Sequence, residues 1–159
     1  MNILIVYTGR HGTTRSLVDR IAAGIAGSVD IIDVRTQTMP TLDRYNKVLI
    51  GGPIYNGLLS ARIRLFCERH KTQLLSRKVG LFLSCITGFE QAERYMKIAF
   101  PRWLLDHAFA KEQLGGKLVR KSIRPSQRWL LSLLVGIRED RDTINPDAIT
   151  RLVSATNKN

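Results

Sequence analysis

Short, wholly apolar runs alternate along this chain with longer stretches in which apolar residues recur every three or four positions. Asn2 to Tyr7 contains Ile3-Leu4-Ile5-Val6, a continuous run of the kind a strand covered on both faces requires. A polar, glycine-containing turn follows it, and then Leu17, Val18, Ile21, Ala22 and Ile25 recur at helical spacing. Thr13 or Thr14 stands where a hydroxyl caps such a helix, and Gly24 and Gly27 stand where it stops. Val29 to Val34 and Lys47 to Gly51 predict the second and third strands, joined through Pro40 to Arg44, and about Ser60 to Leu75 reads as a helix. Val79 to Ser84 predicts strand four, and Phe89 to His107 a helix interrupted at Pro101, whose ring cannot continue it. Leu114 to Val119, flanked by Gly115 and Gly116, predicts a fifth strand, followed by helices over Pro125 to Ile137 and Asn145 to Ala155.

Strands alternating with helices predict an α/β fold, a doubly wound parallel sheet with helices on both faces and right-handed crossovers. Five strands fit the order 2-1-3-4-5 better than a full dinucleotide-binding sheet. The 159 residues fit one domain over 1–159, long enough to bury roughly two-thirds of the unfolded surface. Cys67 and Cys85 stand in apolar surroundings without metal or redox spacing and read as reduced, semi-buried thiols. The N-terminus lacks the basic and long apolar regions of a secretory signal. The longest apolar candidate, Trp129 to Ile137, is far short of the roughly 20 residues of a spanning helix. A cytoplasmic protein is the expectation.

Charge changes this ordinary picture. The net charge is +12, and between Gln113 and Arg138 there are six basic residues and no acidic one. Lys117, Arg120, Lys121, Arg124 and Arg128 precede the apolar run that opens at Trp129, a pattern for peripheral contact with an anionic membrane, here its inner face. The same run can instead pack on the sheet, with its basic residues facing water. No nucleic-acid reading motif accompanies the charge, so no specific nucleic-acid partner is expected.

In parallel sheets of this order, ligands sit beyond the carboxyl ends of the strands. The loop after strand one, Thr8-Gly9-Arg10-His11-Gly12-Thr13-Thr14, runs straight into a helix. Glycines, hydroxyls and a helix N-terminus suit an anion, a monophosphate better than a triphosphate because the Gly-Lys-Ser/Thr ending is absent. The same residues also make an ordinary capped strand-to-helix turn. His11 reads as a solvent-facing loop residue, and His70 and His107 as solvated helix residues. The loop after strand three holds Pro53, Ile54, Tyr55, Asn56 and Gly57, and that after strand four Ser84, Cys85, Ile86, Thr87, Gly88 and Phe89. A planar heteroaromatic ring fits between those two loops, and flavin meets the description.

These segments resemble the flavodoxin superfamily, in particular the branch that includes menaquinone-dependent protoporphyrinogen IX dehydrogenase. The likeness rests on Arg10, Gly12, Thr14 and Arg15, on Ile50 to Ile54, on the Gly115-Gly116-Lys117-Leu118 stretch with its basic, Trp-containing follow-on, and on Glu139 to Thr143. It implies a flavodoxin-like fold and flavin mononucleotide (FMN), with the phosphate at Thr8 to Thr14 and the ring between Pro53–Gly57 and Ser84–Phe89. It also implies an oxidoreductase passing electrons between an organic substrate, a porphyrinogen of heme biosynthesis, and a quinone. A small electron carrier to a redox protein partner and a cofactor-free binding module are the rival readings. An oligomer is compatible with each. Because redox chemistry belongs to the cofactor, no general base is assigned.

Overall fold

The computed structural model describes every residue except 11, 56, 87–90, 119–140 and 159. Five parallel strands form the sheet: β1 (Asn2–Tyr7), β2 (Ser28–Asp33), β3 (Lys47–Tyr55), β5 (Lys78–Ser84) and β6 (Ala110–Gln113), in the order β2-β1-β3-β5-β6. Counting parallel strands alone, this is the expected order 2-1-3-4-5. A two-residue strand, β4 (Leu58–Leu59), folds back antiparallel on the end of β3. The helices are α1 (Thr13–Gly24), α2 (Ala61–Arg69), α3 (Lys71–Leu75), α4 (Ala92–Ala99), α5 (Arg102–His107) and α6 (Pro146–Asn157).

Alternation within the apolar strands decides which helices cover which face. Leu4, Val6, Val48, Ile50, Leu81 and Leu83 are buried under Ile63, Phe66, Leu74, Met96 and Leu104 of α2 to α5. Ile3, Ile5, Tyr7, Leu49 and Phe82 point the other way, against Leu17, Val18 and Ile21 of α1 and Ala148, Ile149 and Leu152 of α6. Each fully buried aliphatic side chain contributes about 1.5–3 kcal/mol of transfer free energy, so the two faces together hold the sheet.

The far end of α1 is clipped by the end of α6. Asn157 Nδ2 donates to the Gly24 carbonyl at 3.0 Å, and its Oδ1 accepts from the Ala26 amide at 2.9 Å. The buried Lys47 donates to the Thr156 carbonyl at 2.6 Å and to that of Lys158. Loss of water around Lys47, and secondarily the charge of Lys78, lower its pKa.

Four expectations need correction. The fifth strand is Ala110–Gln113 rather than Leu114 to Val119, because an edge strand pairs on one side only and tolerates Lys111 and Glu112. Within the expected span, β7 (Lys117–Leu118) instead pairs antiparallel with β8 (Arg141–Asp142), outside the main sheet. The helix expected over Ser60 to Leu75 is two helices meeting at His70, which leaves helical geometry at φ −106°, ψ 18°. His70 and His107 are half-buried rather than solvated: His70 Nδ1 lies 2.8 Å from Gln73 Oε1, and His107 Nε2 lies 2.7 Å from the Arg77 carbonyl. By contrast, the break at Pro101 separates α4 from α5 as expected, while Cys67 and Cys85 are buried cysteines, more enclosed than the semi-buried thiols expected. The helix expected over Pro125 to Ile137, with Arg120, Lys121, Arg124, Arg128 and Trp129, lies outside the described residues. No helix among the described residues is long and apolar enough to cross a membrane.

Candidate functional site

Parallel registers bring three chain segments to one edge of the sheet. Tyr7 of β1 stands opposite Gly51 of β3, which stands opposite Phe82 of β5. The segments leaving those strands therefore emerge side by side, as the sequence predicts.

The first segment enters α1 through Gly12, whose φ of +81° is a left-handed conformation that glycine adopts without steric cost. No side chain caps this helix start, and its first turn holds no acidic residue. The first-turn backbone amides, together with the helix dipole, offer an anion directed donors and partial positive charge. Thr8 and Thr14 are buried beneath the loop, while Arg10 is exposed. Thr13, a candidate phosphate donor, instead donates its hydroxyl to the Lys117 carbonyl at 2.9 Å. That bond fastens the loop to the β7–β8 pair, which is closed by an ion pair of 3.3 Å between Lys117 and Asp142. The Ile144 amide, and after it Lys117, hold the Asp142 carboxyl below its ordinary pKa.

The second segment is less of a loop than expected. Pro53, Ile54 and Tyr55 continue β3, because Ile54 and Tyr55 pair with Leu59 and Leu58 across a turn at Gly57, φ +77°. Tyr55 is 44% exposed. Partial burial raises its phenol pKa; the charge and backbone amide of Arg10, and the charge of Arg35, act in the opposite direction. Tyr55 thus stands against the first segment.

In the third segment, Ser84 ends β5 and is buried, as is Cys85, whose amide donates to the Gly115 carbonyl at 3.0 Å. A Cβ added at Gly116 would sit 3.2 Å from Ile86 Cγ1, so Ile86 rests against that backbone. Thr143 locks it from behind: its amide donates to the Gly116 carbonyl at 2.9 Å and its hydroxyl accepts from the Gly116 amide at 3.2 Å. His11, Asn56, Thr87, Gly88 and Phe89 lie outside the described residues.

Two supporting groups escape sequence reasoning. Arg35, just beyond β2, donates through Nη1 to the Gly9 carbonyl, and Arg62 of α2 donates to the carbonyls of Val34 and Arg35 at 3.4 and 3.2 Å. No motif marks either arginine. Gly115, with φ +75°, belongs to the Gly115-Gly116-Lys117-Leu118 stretch that carries the family resemblance, but the sequence does not show its close approach to Thr143: a Cβ there would fall 1.8 Å from the Thr143 carbonyl oxygen.

The family model for the flavodoxin domain matches residues 4–144. The chain belongs to the flavodoxin-domain family. Among solved structures it is similar to the flavodoxin of Streptococcus pneumoniae (13% identity, TM-score 0.55, 98% of this chain and 95% of that one). It is likewise similar to the two-electron reduced flavodoxin of Megasphaera elsdenii (16% identity, TM-score 0.53, 99% of each chain). A protein described as protoporphyrinogen IX dehydrogenase [quinone] from Leishmania major is 27% identical over 89 residues. That match spans 54% of this chain and 38% of the relative.

Proposed function

We propose that this flavodoxin-domain protein is an FMN-dependent oxidoreductase that passes electrons between an organic substrate and a quinone or redox protein. The observation that carries the reading is the entry to α1: an uncapped helix start behind a left-handed Gly12, free of acidic residues, at the ligand edge of the sheet. Such a start fits the phosphate of FMN. Thr8 to Thr14 would hold that phosphate, and Pro53 to Gly57 with Ser84 to Phe89 would flank the ring. When bound, the isoalloxazine ring supplies the electron-transfer chemistry. The chain's own residues orient it: Arg35 braces Gly9, Tyr55 stands beside Arg10, and Gly115 and Thr143 stiffen the third segment.

A porphyrinogen is the substrate favoured by the Leishmania relative, and a cytoplasmic protein touching the inner membrane face through Lys117 and the basic residues after it is the matching location. The test is an absorbance spectrum before and after addition of FMN and removal of the excess. Flavin bands that stay with the protein support the proposal; a bare spectrum in both conditions overturns it. Quinone reduction that depends on added protoporphyrinogen then tests the substrate.

A further inference from the structure

Seven ion pairs neutralise much of the described surface, among them Arg15–Asp19, Arg44–Asp30 and Arg151–Glu112. Arg10, Arg35 and Arg62, all exposed, form none among the described residues. They are neighbours: Arg62 Nη1 lies on the Arg35 carbonyl, Arg35 Nη1 on the Gly9 carbonyl, and Arg10 and Arg35 both act on Tyr55. Backbone carbonyls hold the Arg35 and Arg62 guanidinium groups through Nη1, and among the described residues neither group makes a side-chain hydrogen bond or ion pair through Nε or Nη2, donors that an outside anion can use. A guanidinium fixed in this way loses little further freedom on binding. Beside them, Tyr55 and Leu58 face one another across the β3–β4 pair at 44% and 53% exposure. An exposed aromatic and aliphatic pair rimmed by arginines is the composition of a protein interface: an apolar centre with a charged margin.

We propose that Arg10, Arg35 and Arg62, with Tyr55 and Leu58, form the docking face for an acidic electron-transfer protein. The proposal rests on the flavin reading above and gives one half-reaction to a protein in place of a quinone. A protein fits better than a small anion, because the five side chains are exposed and spread over the first loop, the end of β2, α2 and the β3–β4 turn. The net charge of +12 draws such a partner in, and the rim orients it beside the proposed ring site.

The probe is cytochrome b5, a small acidic haem protein, titrated calorimetrically into wild type with and without FMN, at low and high salt. The test variant is Arg35→Gln/Arg62→Gln. Its control is Arg69→Gln/Lys78→Gln, with the same charge loss at the end of α2 and the start of β5. The expected result is salt-sensitive binding that weakens about tenfold in the test variant and less than about twofold in the control. No binding to wild type, or equal weakening in both variants, overturns the proposal. Arg62→Gln alone repeats the test with the Arg35–Gly9 brace intact, should the double variant melt early. A separate FMN titration of wild type judges the flavin reading, since docking is measured on the unloaded protein too. Sedimentation with phosphatidylserine vesicles completes the set: if the test variant loses vesicle binding but keeps cytochrome b5 binding, the rim is a lipid site and the proposal fails.

Discussion

Thr13 donates its hydroxyl to the Lys117 carbonyl at 2.9 Å, joining residues 104 positions apart. Its neighbour Thr14 is buried under the same loop. Two adjacent threonines with the same side chain therefore have different duties. Thr13→Val should cost about 1 kcal/mol in denaturant unfolding, the net worth of one hydrogen bond. It should change FMN affinity less than Thr14→Val does; the reverse order in fluorescence titrations would show that the Thr13 hydroxyl leaves Lys117 to serve the phosphate.

The α1 entry has no side-chain cap and no acidic residue in its first turn, so it favours an anion over a neutral group. Riboflavin, which lacks the phosphate, should bind at least about tenfold more weakly than FMN, the worth of one or two charge-assisted hydrogen bonds. Equal affinities for the two flavins would place the phosphate elsewhere.

Glycine positions 12 and 115 share a positive φ but differ in surroundings. A Cβ at Gly12 meets nothing within 4 Å, whereas one at Gly115 falls 1.8 Å from the Thr143 carbonyl oxygen. Gly12→Ala should cost about 1 kcal/mol, the strain of the backbone alone. Gly115→Ala should cost about 3 kcal/mol or more, because the β8–α6 connection must move. Thermal unfolding of the two variants gives the comparison.

Burial pushes the Cys67 thiol up from 9.0 to about 12. The native state therefore keeps a proton that the unfolded chain releases above pH 9. Stability should be unaffected by this group below pH 9 and should fall between pH 9 and about 12, by about 4 kcal/mol at most. Cys67→Ala should flatten that alkaline limb in urea titrations, although it lowers stability at neutral pH by leaving a small void. An unchanged limb would assign the loss to other groups.

The sequence showed the ligand edge more clearly than its supports. Ile3 to Val6 and Val48 to Ile50 are covered on both faces, so burial alone marks them as strands. Ala110–Gln113 has one strand neighbour and mixed polarity, so no period announces it. Pro53 to Tyr55 looked like a loop because proline and an aromatic follow two glycines, yet β4 supplies a partner that only tertiary structure reveals. The bonds from Arg35 to Gly9 and from Thr13 to Lys117 span 26 and 104 positions and involve backbone oxygens, which carry no residue signature.

The clip between Asn157 and the Gly24–Ala26 turn has a consequence for synthesis. Its two hydrogen bonds link positions 131 and 133 residues apart. Neither can form, nor can Lys47 meet the Thr156 carbonyl, until the end of α6 has left the ribosome. The nascent β1-α1-β2 unit therefore waits with Leu17, Val18 and Ile21 not yet covered by α6, the condition in which growing chains recruit chaperones. Ribosome-bound chains lacking α6 should be cut readily by protease within α1, and full-length chains should not.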